Sequence, residues 1–332
     1  MKQVSLGQSG PKVSALGIGA MSFSDFYGKT TDENSFAILD AAMAAGVTHI
    51  DTANVYGMGR SESVIGAYLR ARPEARDHFT IATKAAIARD GDGNRVFRND
   101  LDHLESELDA SLKRLGVEAV DLFYAHRRDK ARPIEESVEA LATLVRKGKA
   151  KSIGLSEIAP VTLERAHAVH PVAAVQSEYS LSTRSPELGL IQACARIGAT
   201  FVPFSPIGRS FLTDHPLSWE AVQTLPFLAS NPRFSEENYR ANIATTDRLR
   251  ALARDMGTST AALAIAWVLA QGDHMLAIPG TRSLAHFQQL VDGANLELGA
   301  DGLAAIDAAL PPGWCAGDRY SEDQWIGPER YC

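Results

Sequence analysis

Four ionisable side chains lie just past short apolar segments. Asp51 ends His49-Ile50-Asp51, Tyr56 follows in the next loop, Lys84 ends the run from Phe79, and His126 follows Leu122-Phe123-Tyr124-Ala125. A phenol of ordinary pKa, about 10, is a poor acid at neutral pH unless a cation beside it stabilises the phenolate. Lys84 is the candidate cation. A buried lysine tends to lose its own proton by desolvation, and Asp51 is the natural counter-charge that keeps it ionised. His126, if neutral, can donate a ring N–H to a carbonyl oxygen and hold it beside the phenol. The set describes a proton relay that polarises a carbonyl without a nucleophile or a metal. Taken singly, each residue also has a structural reading: a strand-end Asp caps a turn, a Lys is solvated, a Tyr or His completes a hydrogen bond. Their joint placement favours function, because ionisable groups with perturbed pKa gather at functional sites.

Such residues converge only if the elements carrying them are neighbours. Short segments rich in Val, Ile and Phe alternate with stretches of helical apolar spacing, the pattern of βαβ units and a parallel sheet. The candidate strands are Leu16–Gly19, Val47–Asp51, Thr80–Lys84, Val120–Tyr124, Ala150–Leu155, Val172–Ser177, Thr200–Phe204 and Leu276–Pro279. Eight alternating units fit a closed (β/α)8 TIM barrel of the α/β class better than an open sheet, and barrel active sites lie at the carboxyl ends of the strands. Helix punctuation agrees: Thr31-Asp32-Glu33-Asn34 precedes Phe36 to Ala45, closed by Gly46, and Arg98 to Leu115 is closed by Gly116. Gln3 to Ser14, with Gly10-Pro11 in the middle, reads as an N-terminal β-hairpin placed to plug the barrel bottom. Leu212 to Asn238 reads as a long irregular loop after strand seven. The tail from Pro311 holds Trp314, Tyr320, Trp325 and Tyr331, an aromatic density suited to draping over a pocket. No linker or composition shift divides the chain, so residues 1–332 read as a single barrel domain.

Composition narrows the partners. The chain is 332 residues long with 45% hydrophobic and 22% charged residues, enough to build a sizeable core. Its net charge of −7 and lack of any Lys/Arg-rich run disfavour nucleic acid. Cys194, Cys315 and Cys332 lack metal-ligand spacing and read as reduced thiols. No signal-like start or spanning apolar run is present, so the expectation is a cytoplasmic protein with no membrane partner.

The segments Asp51-Thr-Ala-Asn-Val-Tyr56-Gly57, Thr83-Lys84 and Leu122-Phe-Tyr-Ala-His126-Arg-Arg-Asp129 resemble signature segments of the aldo-keto reductases, and the resemblance runs over nearly the whole chain. It implies Tyr56 as general acid, Lys84 and Asp51 as its pKa partners and His126 as the carbonyl-orienting group. Ile153-Gly-Leu-Ser156-Glu157, Gln176-Ser-Glu-Tyr179-Ser180 and Phe204-Ser205-Pro206-Ile207-Gly208-Arg209 are similar to family segments that hold a nicotinamide cofactor. By that resemblance Ser156, Glu157 and Gln176 bind the carboxamide, Phe204 stacks on the nicotinamide, and Ser205 to Arg209, including Pro206 and Gly208, run along the pyrophosphate. Gly19 and Met21, at the end of the first strand, and Gln288 are assigned to the same cofactor. The resemblance also implies a monomer.

The phosphate site has an independent basis. Barrels often bind phosphate at the loops after strands seven and eight, with a helix N-terminus supplying N–H donors. Gly280, Thr281, Arg282 and Ser283 lie there. Gly280 permits close backbone approach, Ser283 can cap the helix, and the fork of Arg282 suits the 2′-phosphate of NADPH over NADH. Three departures from the family pattern stand out. Gln289-Leu290 replace a Glu-Asn pair near the adenine, Glu157 replaces an asparagine, and Asp214 stands where a glycine often ends the phosphate loop.

Other chemistries lose their anchors. Gly17-Ile-Gly19-Ala-Met21-Ser22 lacks the third glycine of the dinucleotide fingerprint, and no P-loop or His-Glu-x-x-His motif occurs. Gly154-Leu-Ser156-Glu-Ile158 lacks the second glycine of a nucleophile elbow. The expected function is NADPH-dependent reduction of an aldehyde or ketone, a small-molecule carbonyl. The alternatives are an alcohol, sugar or pyridoxal-type dehydrogenase running the reverse direction, and a nicotinamide-binding regulatory subunit resembling potassium-channel β subunits. Met21, Phe23, Tyr27, Tyr56, the Leu212–Asn238 insertion, and Trp314 or Trp325 are the expected pocket walls.

Overall fold

The computed structural model describes residues 1–330; Tyr331 and Cys332 lie outside the described residues. An antiparallel hairpin of β1 (Gln3–Ser5) and β2 (Lys12–Ser14) opens the chain. There follow β3 (Ile18–Gly19), α1 (Asp32–Ala44), β4 (His49–Asp51), α2 (Arg60–Ala71), α3 (Ala75–His78) and β5 (Thr80–Ala85). A second hairpin, β6 (Ile87–Arg89) and β7 (Arg95–Phe97), precedes α4 (Leu101–Leu115), β8 (Leu122–Ala125), α5 (Ile134–Arg146), β9 (Ile153–Ser156), α6 (Pro160–Val169) and β10 (Val172–Glu178). The rest is α7 (Leu190–Ile197), β11 (Thr200–Phe204), α8 (Trp219–Gln223), α9 (Pro226–Ala229), α10 (Glu236–Asp255), α11 (Thr260–Leu269), α12 (Leu284–Asn295) and α13 (Ala300–Ala309).

Seven parallel strands run in the order β11-β10-β9-β8-β5-β4-β3. The expected eighth strand, Leu276–Pro279, forms isolated bridges rather than a regular strand, and these still close the barrel. Gly17 N donates to Ala277 O at 2.8 Å and Gly19 N to Pro279 O at 2.9 Å, while Leu276 N donates to Phe201 O at 3.0 Å on the other side. Gly19 is required at this seam: a Cβ there would lie 2.4 Å from Ile278 O. The result is the (β/α)8 TIM barrel.

Alternation along the strands sorts side chains between the barrel interior and the helices. On β5, Thr83 points out and donates to Glu62 of α2 at 2.5 Å, so Lys84 points in. Asp51 on β4 and Tyr124 and His126 at β8 lie on the same side. Tyr124 fits there because β9 offers Gly154 beside it, where a Cβ would sit 2.4 Å from the phenol ring.

The helices start where the sequence provides caps. The Thr31 hydroxyl accepts from Asn34 N, and the Asp100 carboxylate accepts from His103 N, which begins α4 three residues later than the Arg98 expectation. The N-terminal hairpin seals the amino ends of the strands: Gly7 N donates to the Thr200 hydroxyl at 2.9 Å, and that hydroxyl donates to Ser5 O at 2.7 Å. The insertion expected to be irregular contains α8, α9 and the start of α10. Its caps are local, since Ser218 accepts from Ala221 N and proline opens α9. Short helices of this kind carry too little apolar periodicity to be read from sequence.

Candidate active site

At the carboxyl ends of β4, β5 and β8 the four residues singled out by type come together. Lys84 is fully buried and its ammonium donates to Asp51 Oδ1, to Thr52 O at 2.8 Å and to the Tyr56 hydroxyl at 3.4 Å. The last is long for a hydrogen bond; such contacts often tighten when substrate is bound. The same ammonium lies 5.1 Å from the Tyr56 ring centre, and His126 meets that ring edge-on at 5.8 Å.

Burial sets the protonation states. Burial pushes the Tyr56 phenol above its ordinary value, against the opposing charge of Lys84. Burial works against the Lys84 ammonium too, but Asp51 and Tyr56 more than restore it and leave its pKa raised. His126 is held well below the usual imidazole value by burial, reinforced by the charges of Arg127 and Lys84. At neutral pH the site therefore presents a protonated phenol, an ammonium and a neutral imidazole. The second oxygen of Asp51 accepts from the Gln176 amide at 2.8 Å, so both carboxylate oxygens are engaged. Removing one partner of a buried pair such as Lys84–Asp51 costs about 3–5 kcal/mol, because the other charge is stranded.

The residues assigned to a cofactor surround this centre in varied states. The Ser156 hydroxyl, buried at the end of β9, accepts from Arg127 at 3.1 Å, and Phe204 at the end of β11 is half-buried. Glu157 is engaged elsewhere: its carboxylate accepts from the Arg319 guanidinium at 2.5 Å and from Glu178 N at 2.8 Å. Its φ of +57° is the left-handed conformation that asparagine tolerates better. The loop from Ser205 to Ser210 carries four positive φ values, at Ser205, Gly208, Arg209 and Ser210, a backbone able to turn N–H groups toward an anion. Arg209 pairs with Glu178 at 2.6 Å, yet its Nε and Nη1 are buried without a partner among the described residues. Buried donors of that kind call for an acceptor, and a pyrophosphate is chemically suited. Arg282 is exposed and, among the described residues, hydrogen-bonds only to Lys29 O at 3.0 Å; Ser283 caps α12 beside it. A Cβ on Gly280 would lie 2.7 Å from Gly19 O, so this glycine serves the barrel seam as well. Thr281 is half-buried, Pro206 is buried, and exposed Gln288 donates to Asp292 at 2.8 Å. The residues present fit the pyrophosphate of a dinucleotide.

Three segments arch over the site. Phe26 packs on Phe227 of α9 at 5.4 Å, Phe227 meets Tyr320 of the tail at 6.3 Å, and the Arg209 guanidinium sits over both rings at 4.8 and 5.3 Å. The tail is fastened by Arg319 to Glu157, and by Glu329 to Arg128 and to Ala159 N. Of the expected walls, Tyr27 is half-buried against Phe26 of this arch at 5.0 Å and Met21 is half-buried, whereas Phe23 belongs to the core and Trp314 donates to Leu181 O at 2.7 Å. Arg319 and Glu178 were not singled out by type or spacing. Arg319 meets Glu157 across 162 positions, and no local pattern announces such a pair.

A parallel barrel whose strand ends gather a phenol, a buried ammonium–carboxylate pair and a neutral imidazole defines a class of TIM-barrel enzyme built for proton transfer to a polar group. Comparison with known proteins makes this specific. The model of the aldo/keto reductase family matches residues 15–311. A probable aldo-keto reductase 1 of Glycine max is 39% identical over 96% of this chain and 92% of its own length. Aldo-keto reductase str7 of Strobilurus tenacellus is 37% identical over 95% and 93%. Among solved structures, the glycerol dehydrogenase AKR11B4 from Gluconobacter oxydans superposes with a TM-score of 0.81 at 26% identity, covering 93% of this chain and 95% of that one. The thermostable aldo-keto reductase Tm1743, solved with the inhibitor epalrestat, gives 0.72 at 28% identity over 93% and 100%. The chain belongs to the aldo/keto reductase family and is an oxidoreductase.

Proposed function

We propose that this chain, acting as one barrel domain over residues 1–332, is an NADPH-dependent reductase of aldehydes or ketones. The observation that carries the reading is the Lys84 ammonium held between Asp51 and the Tyr56 hydroxyl, with His126 against the same ring. When bound, a reduced nicotinamide supplies the hydride. Tyr56 gives its phenolic proton to the oxygen of the developing alcohol, Lys84 stabilises the phenolate left behind, and Asp51 keeps Lys84 charged. His126 donates a ring N–H that orients the carbonyl oxygen and offsets its charge.

For the cofactor, Ser156 and the free carbonyl oxygen of the Gln176 side chain face the carboxamide, and Phe204 stacks on the ring. Ser205, Pro206, Gly208 and Arg209 follow the pyrophosphate, with Gly19 and Met21 beside the path. Gly280, Thr281 and Arg282 take the 2′-phosphate, with Gln288 toward the adenine. Glu157 acts through Arg319 rather than on the carboxamide. The substrate is a small-molecule carbonyl, and the working protein is a cytoplasmic monomer. No helix among the described residues is long and apolar enough to cross a membrane.

The test is Tyr56→Phe. Loss of a general acid lowers turnover by about 10²- to 10⁴-fold, read as NADPH oxidation with a panel of aldehydes and ketones, while NADPH binding followed by protein fluorescence stays near wild type. Full turnover by the variant sinks the assignment. NADH in place of NADPH tests the role given to Arg282. A second reading, an alcohol dehydrogenase working in the oxidative direction, is favoured by the likeness to a glycerol dehydrogenase; rates with NADP and simple polyols decide between the directions.

A further inference from the structure

Arg127 follows His126 directly at the end of β8 and is half-buried. Its Nη1 donates to His126 O at 2.7 Å and to the Ser156 hydroxyl at 3.1 Å. Among the described residues it is the one arginine, of all those buried or half-buried, with no carboxylate within 4.0 Å. Arg60, Arg72, Arg76, Arg114, Arg128, Arg132, Arg184, Arg209, Arg233, Arg250 and Arg319 each have one. A partly desolvated guanidinium without a counter-ion is costly and is normally paired, so its isolation beside the candidate proton donor needs a reason.

The surroundings hold it there. A Cβ on Gly327 would lie 3.0 Å from the Cγ and Cδ of Arg127 and 2.8 Å from Phe97, so the tail, the β7 strand and the Arg127 stem are packed together. Arg95 of β7 stands on the same rim, stacked over Phe97 at 5.7 Å. Among the described residues its guanidinium meets only Asp323 O, at 2.5 Å, with no carboxylate in ion-pair range. Burial, then the charge of Arg127, hold Arg95 below the ordinary arginine value. Arg127 also acts electrostatically on Tyr56, His126 and Tyr320. The nearby carboxylate of Glu157 is already committed to Arg319.

We infer that Arg127, with Arg95 at the rim, is a substrate-anion site: the preferred substrates are carbonyl compounds that carry a carboxylate or a phosphate. The inference rests on the carbonyl-reductase reading for where the carbonyl lies. Arg127 Nε and Nη2 make no hydrogen bond to the described residues, and this edge of the guanidinium can grip two anionic oxygens side by side. The carbonyl end of the same molecule then reaches Tyr56 and His126, the latter being the residue before Arg127 in the chain.

The test compares matched substrates: 4-carboxybenzaldehyde with methyl 4-formylbenzoate, and glyceraldehyde 3-phosphate with glyceraldehyde. Wild type should show a higher kcat/KM for at least one anionic member, and added salt should erode that advantage. In Arg127→Gln the anionic-to-neutral ratio should fall by roughly tenfold or more, the worth of a charge-assisted pair, with Arg127→Lys intermediate and Arg95→Gln giving a smaller fall. The two pairs distinguish a carboxylate site from a phosphate site. An unchanged ratio in Arg127→Gln, or no anionic preference in wild type, overturns the inference. Calorimetric titration of the NADPH-loaded protein with benzoate and with benzamide supplies a readout without turnover. If neither neutral nor anionic carbonyls react, the reductase reading fails, and tighter benzoate binding by wild type than by Arg127→Gln still decides for or against the anion site.

Discussion

Tyr56 and His126 are shifted in directions that suit reduction at neutral pH. Burial raises the phenol and lowers the imidazole, so both hold the proton state needed to donate. The sign for the rate follows. Reduction needs the phenol protonated and is lost only as pH rises through the elevated Tyr56 value, above the ordinary 10.0. His126 gains a second proton only well below 6.5, so no acid limb belongs near that value. The expected kcat/KM for reduction is flat across neutral pH with a fall at high pH, measured with one aldehyde at saturating cofactor. A falling limb centred near 7 would contradict this assignment of the proton donor. At this scale the sequence was informative, because residue type and strand-end placement named Asp51, Tyr56, Lys84 and His126. It could not show that Gln176 holds the second oxygen of Asp51, a contact between residues 125 positions apart.

The strands β8 and β9 meet where Tyr124 lies against Gly154. The Tyr124 ring is fully buried and lies 5.7 Å below the Lys84 ammonium, so it forms part of the floor of the site. A methyl group at Gly154 would come within 2.4 Å of two ring carbons, in a core with no room to yield. Gly154→Ala should cost about 1–3 kcal/mol as an overpacked core, read by urea unfolding, and should reduce turnover by moving the floor beneath Lys84. Gly91→Ala, in open space, should do neither. Equal stability of Gly154→Ala and wild type would show that the floor is not rigid. Element types were legible where apolar periodicity was long, as in α4 and β5. The edges drifted where capping chemistry decided them, as with Asp100 for α4, and the seam of the eighth segment gave way to isolated bridges. In Leu212–Asn238, helices of four and five residues left no period to read.

The barrel is closed over by its own tail. Arg319 joins Glu157 at the end of β9 and lies 3.6 Å from Glu178 at the end of β10; Glu178 in turn pairs with Arg209 after β11. This buried cluster ties the tail to two strand ends and to the loop assigned to the pyrophosphate. Arg319→Ala removes one partner of a buried pair, and a loss of about 3–5 kcal/mol is expected. Hydrogen exchange should show residues 319–330 losing protection before the barrel strands do. Unchanged protection of the tail would mean that Glu329 and the aromatic contacts suffice to hold it. The aromatic residues of the tail hinted that it covers something, but charge complementarity between Arg319 and Glu157 gave no local sign.

By itself the sequence determined what local chemistry can encode. The alternation of apolar strands and helices, the caps, the types of the four relay residues and their strand-end positions all act over a few residues, so periodicity and spacing reveal them. Only the tertiary structure decided the rest: the barrel seam between β3 and β11, the commitment of Glu157 to Arg319, and the isolation of Arg127 from any carboxylate of the described residues. Those outcomes depend on which distant groups share a buried volume, and in low dielectric the nearest opposite charge, wherever it falls in the chain, decides what each ionisable group is free to do.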